Sequence, residues 1–419
     1  MRVLWFTNTP SLASSLLNHS TIAGGWMDSL EKRISERNDV ELVVAFQFEQ
    51  RDAQKLAGEH STYYIVPHKQ SLFQKFSTRH FNLSHDNSDI KHYLRIIEDF
   101  KPDIIQVFGS ENNFGLVAGM VNIPLIIHIQ GILTVCELKW LMTGMTPGYL
   151  LKHSSLKKIF LGSSFYHHYV SFKRSSAREK RIFSKCRYFI GRTDWDRRVS
   201  AILAPDSEYF HCNEMLRPPF YGYQWKGLNT GQVVLLTTIQ GNLYKGLETV
   251  MESAAFLKQR MGLKFEWRIA GINSSDSLVP LIEKWTNKKF QDQSVRFLGL
   301  LQPEQLIEQM QAASIFIHPS HIDNSPNSVC EAMLLGMPVI ATFTGGTGSM
   351  LKDKEDGILV QDGDPYALAG TILELSKDMD YAAELGKRAR QRALQRHDPD
   401  AIVNNLLSIY KDVIKRYHQ

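Results

Sequence analysis

Lys245 stands directly before Gly246 in the stretch Thr238-Ile-Gln-Gly-Asn-Leu-Tyr-Lys-Gly-Leu-Glu248, where an apolar run gives way to a helical pattern. A lysine ammonium beside the free N–H groups of a helix start converges positive charge on a phosphate. A departing diphosphate needs such charge in its transition state. A second stretch runs from Ser314 to Thr342; in it an apolar strand ends at His318-Pro319, a polar loop follows, and a helix starts near Ser325 to Ser328. Asp323 and Glu331 are separated by seven residues across that join. A carboxylate on the first turns of the helix can accept from paired hydroxyls, as a ribose requires, while Asn324, Ser325, Asn327 and Ser328 offer polar groups at the helix start. In isolation the same pair reads as a helix cap plus surface charge. The loop Thr342-Phe-Thr-Gly-Gly-Thr-Gly-Ser349 brings Thr344, Gly345 and Gly346 between a strand and a helix start. Glycines there let backbone amides approach an anion, with a plain tight turn as the alternative.

In the first half, Gly24 and Gly25 precede a helical pattern that ends near Arg37, and Leu125-Ile-Ile-His-Ile-Gln-Gly131 puts His128 and Gln130 on one face of an apolar strand. A histidine in such a strand is more often a satisfied core residue, and a glutamine donates and accepts hydrogen bonds without acting as a base. Asp362-Gly363-Asp364 precedes a helix start, and the pairs His318/His321 and His167/His168 lack a third ligand at useful spacing, so no metal site is read.

These residues must be held by regular elements, and the pattern of the chain supplies them. Short β-branched runs at Val3–Thr7, Val40–Ala45, Ile104–Phe108, Leu125–Ile129 and Tyr188–Gly191 alternate with amphipathic patterns at Trp26–Arg37 and Ile90–Phe100. A second series begins with Val233–Thr238 and continues through Phe265–Ala270, Val295–Leu298, Ile315–His318, Pro338–Ala341 and Ile358–Val360, with helices at Gly246–Arg260, Pro303–Ala312 and Val329–Leu335. Such alternation predicts α/β halves built on parallel sheets. The turn-rich residues 216–230 form the hinge, and a last helix over Pro399–Tyr417 is expected to return to the first half. At 419 residues the chain is too long for one ordinary core. G-x-G-x-x-G is absent, so NAD is not expected.

Hydrophobic residues at 43% and charged residues at 22% match a globular protein and exclude collagen-like or disordered character. The four cysteines form neither a disulfide framework nor a zinc pattern, which fits a reducing cytosol. The amino terminus reads as a first strand rather than a signal peptide, and no apolar stretch reaches the roughly 20 residues of a membrane span. Net charge is only +5, yet Lys139 to Arg187 carries eleven Lys and Arg against one acid, Glu179, interleaved with aromatics such as Trp140, Phe160 and Tyr166. That mixture suits an anionic membrane surface, with inward-packed aromatics in a solvated region as the plainer reading and nucleic acid not favoured.

The stretch Asp323-Asn-Ser-Pro-Asn-Ser-Val-Cys-Glu-Ala-Met-Leu-Leu-Gly-Met-Pro-Val-Ile-Ala341 resembles the signature of retaining GT-B glycosyltransferases of family four, E-x7-E followed by A-M-x-x-G-x-P-V-I-A. Its opening is similar to a subgroup with E-N-S-P-N, with Asp323 in place of the first Glu. The resemblance implies a GT-B fold: two Rossmann-like domains facing across a cleft, an acceptor-binding domain over 1–216, a nucleotide-sugar domain over 217–398, and a helix over 399–419 packing back on the first. It implies a nucleoside-diphosphate sugar donor, with UDP favoured, a glycan or lipid-linked acceptor, and no obligatory metal or other cofactor. In the family the lysine is usually preceded by an arginine that also holds the diphosphate; none occurs between Gln232 and Lys245. The roles implied are diphosphate for Lys245, donor ribose for Glu331, sugar hydroxyls for Asp323, a place beneath the donor diphosphate and the acceptor for Gly24 and Gly25, phosphates and donor sugar for the Gly345-Gly346 loop, and the place near the reacting sugar for Gln130 or His128. A bacterial envelope pathway, such as capsule or O-antigen assembly on the inner face of the plasma membrane, is the implied setting. The rival expectations are an epimerase or phosphorylase of the same fold, or a non-catalytic sugar-binding scaffold.

Overall fold

The computed structural model describes residues 1–17, 25–50, 52–59, 61–68, 72–81, 86–142, 144–227, 232–259 and 261–419. Two compact units emerge: Met1–Leu138, Thr146–Met215 and Asp398–Gln419 form the first, and Lys139–Met145 with Leu216–His397 the second.

The first unit is built on eight strands: β1 (Arg2–Thr7), β2 (Glu41–Phe48), β3 (Gln54–Ala57), β4 (Thr62–Pro67), β5 (Ile104–Phe108), β6 (Leu125–His128), β7 (Tyr188–Gly191) and β8 (Glu208–His211). Their order is β3-β4-β2-β1-β5-β6-β7-β8, parallel except for the antiparallel edge pair β3-β4. The central strands are buried on both faces, which is why they read as continuous apolar runs. In β1, Val3 and Trp5 enter the core cluster on one face, and Leu4 and Phe6 the cluster on the other. The helix Pro399–Tyr417 seals the first of these faces with Leu406, Tyr410 and Val413. There Trp5 Nε1 donates to Tyr410 Oη at 2.9 Å, and the Tyr410 hydroxyl donates to Gln106 Oε1.

The second unit carries β9 (Val233–Thr238), β10 (Phe265–Ala270), β11 (Val295–Gly299), β12 (Ile315–His318), β13 (Val339–Thr342) and β14 (Ile358–Val360), all parallel, in the order β11-β10-β9-β12-β13-β14. The chain moves outward from β9 to β11 and then restarts at β12 on the other side of β9. This reversal is a switch point, where loops diverge beyond the strand ends and leave room for a ligand. The first sheet has the same device between β1 and β5.

The sequence reading lacks β3, β4 and β8, and it lacks the short helices between Leu133 and Phe160 and the long helix Phe165–Phe183. The expected helix Val329–Leu335 begins two residues earlier, at Asn327. Among the described residues no helix is long and apolar enough to cross a membrane.

Candidate active site

Both chemistry-bearing stretches of the second unit lie at its switch point. After β9 the chain makes a short turn over Leu243–Lys245, and Gly246, left-handed at φ 75°, launches the helix Leu247–Gln259. A Cβ on Gly246 would stand 2.0 Å from the backbone oxygen of Pro319, in the loop after β12. Only glycine lets the two loops meet this closely. That approach brings Lys245 Nζ to 2.6 Å from Asp323 Oδ2, with His318 Nε2 at 3.3 Å from the same oxygen. Burial works to raise the Asp323 carboxyl, but Lys245 and His318 outweigh it and hold the group well below the usual carboxylate range. The carboxylate therefore stays ionised against the Lys245 ammonium.

The glycine-rich loop closes over the same residue. Gly345 is left-handed at φ 51°, and a Cβ on it would lie 1.8 Å from the Asp323 carbonyl oxygen. The Gly346 amide donates to that oxygen at 3.0 Å, the Thr344 hydroxyl donates to the carbonyl of His321 at 2.6 Å, and the Thr344 amide donates to Thr347 Oγ1 at 3.0 Å. Two of the amides expected to cradle an anion are thus engaged in tying the loop down. A third link comes from His321, whose Nε2 binds Glu248 Oε1 and whose Nδ1 lies 3.6 Å from Asp362 Oδ2. Burial alone would lower this imidazole; the two carboxylates outweigh burial and hold it above its ordinary value. Asp362 also pairs with Lys139 at 3.0 Å, and Asp364 caps the helix Pro365–Lys377. Both acids of the Asp-Gly-Asp stretch therefore have structural employment.

Glu331 lies one turn into the helix Asn327–Leu335 and is almost fully buried. Arg217 meets it with a fork of two bonds, Nε and Nη2 each 2.7 Å from a carboxylate oxygen. Burial pushes the Glu331 carboxyl up, and the guanidinium offsets part of that. An ionised carboxylate offers about four lone-pair positions, so Arg217 leaves two for a ligand diol. At the helix start, which no side chain caps, Asn327 Oδ1 is buried without a hydrogen-bond partner among the described residues. Asn324 is buried with its amide on Asp323 Oδ1 at 3.1 Å, whereas the Ser325 hydroxyl turns inward to Met350 Sδ at 3.4 Å. Ser328 is half-buried.

In the first unit Gly24 lies outside the described residues. Gly25 caps the helix Trp26–Ser35 in an ordinary extended conformation, φ −70°, so the backbone does not demand glycine there. His128, implied by the resemblance together with Gln130 for the place near the reacting sugar, lies inside the first unit. It is buried, its Nδ1 takes a bond from Gln106 Nε2 at 3.2 Å, and its ring packs against Trp26 and Phe108. Burial first, and the Arg192 charge second, hold it well below its ordinary value, so it is a neutral core residue. Gln130, half-buried, accepts from Arg192 Nη2 at 2.7 Å. Sequence reasoning missed Arg192, Arg217, Glu248 and Glu111, and it weighed His321 only as a metal ligand. Arg192 follows directly on β7 and Glu111 lies three residues past the end of β5, positions that the strand-end rule alone flags.

Residues 224–392 match the model of the family described as glycosyl transferases group 1. Across 99% of this chain and 100% of the other, the structure is similar to sucrose-phosphate synthase from Thermosynechococcus elongatus, with a TM-score of 0.70 at 14% identity. The fold is GT-B. A further GT-B neighbour is Anabaena HepE in complex with UDP, with a TM-score of 0.64 at 14% identity over 98% of this chain and 100% of that one. In sequence, the chain is 30% identical over 175 residues to D-inositol 3-phosphate glycosyltransferase of Acidothermus cellulolyticus, covering 41% of this chain and 39% of that protein. It is 28% identical over 177 residues to the putative colanic acid biosynthesis glycosyltransferase WcaL of Salmonella typhimurium, covering 40% and 42%. The matches thus span about two fifths of the length of these curated relatives.

Proposed function

We propose that this GT-B protein is a retaining glycosyltransferase that moves a sugar from a nucleoside diphosphate, UDP favoured, to a hydroxyl of a glycan or lipid-linked acceptor. The second unit binds the donor and the first binds the acceptor. The observation that carries this reading is the convergence of Lys245, His318 and Asp323 at the switch point of the second sheet, under a glycine loop pressed onto Asp323. Lys245 takes the charge of the diphosphate, Asp323 holds sugar hydroxyls, and Glu331, set by Arg217, accepts from the ribose. In the transfer, the bond from the anomeric carbon to phosphate breaks with its electron pair leaving on the diphosphate. The acceptor oxygen bonds to that carbon on the same face, and its proton passes to the departing phosphate oxygen. No metal is needed for this balance. The HepE complex with UDP supports the choice of base, and the relative named for colanic acid supports a setting in bacterial surface polysaccharide assembly.

The test is a screen of UDP-, GDP- and ADP-sugars by thermal stabilisation in EDTA, followed by assay of released nucleoside diphosphate with acceptor mixtures. A ligand at a hundred times its Kd stabilises by about 2.7 kcal/mol. Absence of any shift and of any released diphosphate would refute the reading, and an inverted anomeric coupling in the product would refute retention.

We further propose that the first unit rests on anionic membrane at the cytoplasmic face. Within 139–187, Trp140 is buried, but the helix Leu156–Phe160 buries no residue and exposes Leu156 at 85% and Phe160 at 72% beside Lys157 and Lys158. Exposed Leu151, Leu161 and Lys152 extend the patch. Apolar side chains among lysines suit the boundary between headgroups and acyl chains.

A further inference from the structure

The switch point of the first sheet holds a carboxyl group to which nothing above gives a role. Asn8 follows β1, Glu111 follows β5, Gln130 and Gly131 follow β6, and Arg192 follows β7, so all lie at the strand ends where parallel sheets take ligands. Gly109, left-handed at φ 80°, turns the chain after β5 and lets the Glu111 carboxylate lie over its Cα; a Cβ there would stand 1.8 Å from Oε2. Asn8 Nδ2 donates to that oxygen at 3.1 Å. The other oxygen faces Gly131, where a Cβ would be 3.7 Å away. Asn8 is exposed and Glu111 and Gly131 are half-buried, so solvent reaches this corner.

The neighbouring cations do not neutralise the group. Arg178, on the helix Phe165–Phe183, bonds the backbone carbonyl of Glu111. Arg192 bonds Gln130, pairs with buried Glu214 at 3.8 Å and lies over the Trp26 ring. From the same helix as Arg178 comes a like charge, Glu179, which is fixed by Ser110 and by the amides of Leu133 and Thr134. Burial first, then Glu179, push the Glu111 carboxyl up to about 7, against its own amide, Asn8 and Arg192. A carboxylate kept short of compensation at a ligand-binding edge costs stability, and such groups concentrate at functional sites.

We propose that Glu111, oriented by Asn8, is a ligand-contacting residue of the acceptor site, its ionised carboxylate accepting the hydrogen of a neutral sugar hydroxyl. This rests on the reading of the first unit as the acceptor-binding one. Acceptor binding is then controlled by one proton.

The experiment uses the full chain with UDP present and the methyl α-glycosides of glucose, galactose, mannose and N-acetylglucosamine as probes, followed by saturation-transfer NMR from pH 5.5 to 8.5. A group with a midpoint near 7 is about 3% ionised at pH 5.5, so the tightest probe should bind roughly 30-fold more weakly there than at pH 8.5. Glu111→Gln should bind that probe at least tenfold more weakly at pH 8.5 and show no pH dependence, with its UDP affinity by calorimetry unchanged. Asn8→Ala removes a donor that favours the ionised form, so it should move the midpoint upward. Failure of every glycoside to bind, flat pH dependence of the wild type, wild-type behaviour of Glu111→Gln, or loss of its UDP binding would each overturn the proposal. Glycoside binding linked to pH in a protein that turns over no nucleotide sugar would instead sink the transferase reading and leave the Glu111 site standing.

Discussion

Replacing Arg217 by methionine removes both partners of a carboxylate that is only 3% exposed, while keeping much of the aliphatic bulk. The paired state has two charge-assisted bonds of 2.7 Å, and its loss leaves Glu331 either ionised and unpaired or protonated at a cost. Breaking one side of a buried pair costs about 3–5 kcal/mol. Each kcal/mol lowers the melting temperature by roughly 2–4 °C in a unit of this size, so a fall of about 6–20 °C is expected. The double variant Arg217→Met/Glu331→Leu should recover most of the loss, because it leaves no buried charge. Urea unfolding of wild type, both single variants and the double variant measures the coupling. The Arg217→Met deficit should also depend on pH with a fixed sign. Without its partner Glu331 has a folded pKa above its unfolded value, so the unfolded state ionises first and the deficit grows as pH rises from about 4.5. A loss below about 1 kcal/mol, a double variant equal to the sum of the singles, or a deficit that shrinks with rising pH would show that Arg217 does not compensate a buried Glu331 charge.

Lys245→Ala should lower transfer by roughly 10² to 10³ in kcat with the fold intact, as for loss of one preorganised donor, and unchanged turnover would remove the lysine from the mechanism. Gly246→Ala should cost about 1–2 kcal/mol for the left-handed backbone alone and more for displacing Pro319, while also weakening donor binding; equal stability in urea would count against the close approach of the two loops. Leu156→Ser/Phe160→Ser should cut sedimentation with anionic liposomes without changing turnover of a soluble acceptor. Binding of the parent protein should fall with salt, since exposed charges are screened over roughly 8 Å at physiological ionic strength; salt-independent binding, or none, would refute the lipid surface.

The second sheet was legible because β12 and β13 are fully buried and β9 and β10 mostly so, and they read as short apolar runs: four of six expected strand ranges coincide with those observed at both ends. In the first unit, Gln54–Ala57 is an edge strand with mostly exposed side chains and no apolar pattern, and Glu208–His211 is only partly buried. Edge strands carry little of the periodic signal on which sequence reasoning depends. The helix Phe165–Phe183 hides behind its basic residues, since it buries few side chains, Ile182 and Phe183 among them. For the site, residue types at the strand ends pointed to Lys245, Asp323 and the glycine loop, but partners did not follow from spacing. Arg217 lies 114 positions from Glu331, in a stretch that reads only as a turn, and Lys245 lies 78 positions from Asp323. His128 was noticed for its type, yet neither its bond from Gln106 nor its packing on Trp26 and Phe108 follows from the sequence.

The bond from Trp5 to Tyr410 joins positions 405 residues apart, and the helix bearing Tyr410 lines the face to which β1 contributes Val3 and Trp5. During synthesis β1 must therefore wait until the helix Pro399–Tyr417 has left the ribosome before that face is sealed. Contacts of such long sequence separation form late. A nascent chain stopped before Pro399 should bind chaperones or proteases through that apolar side, even after the second sheet has folded.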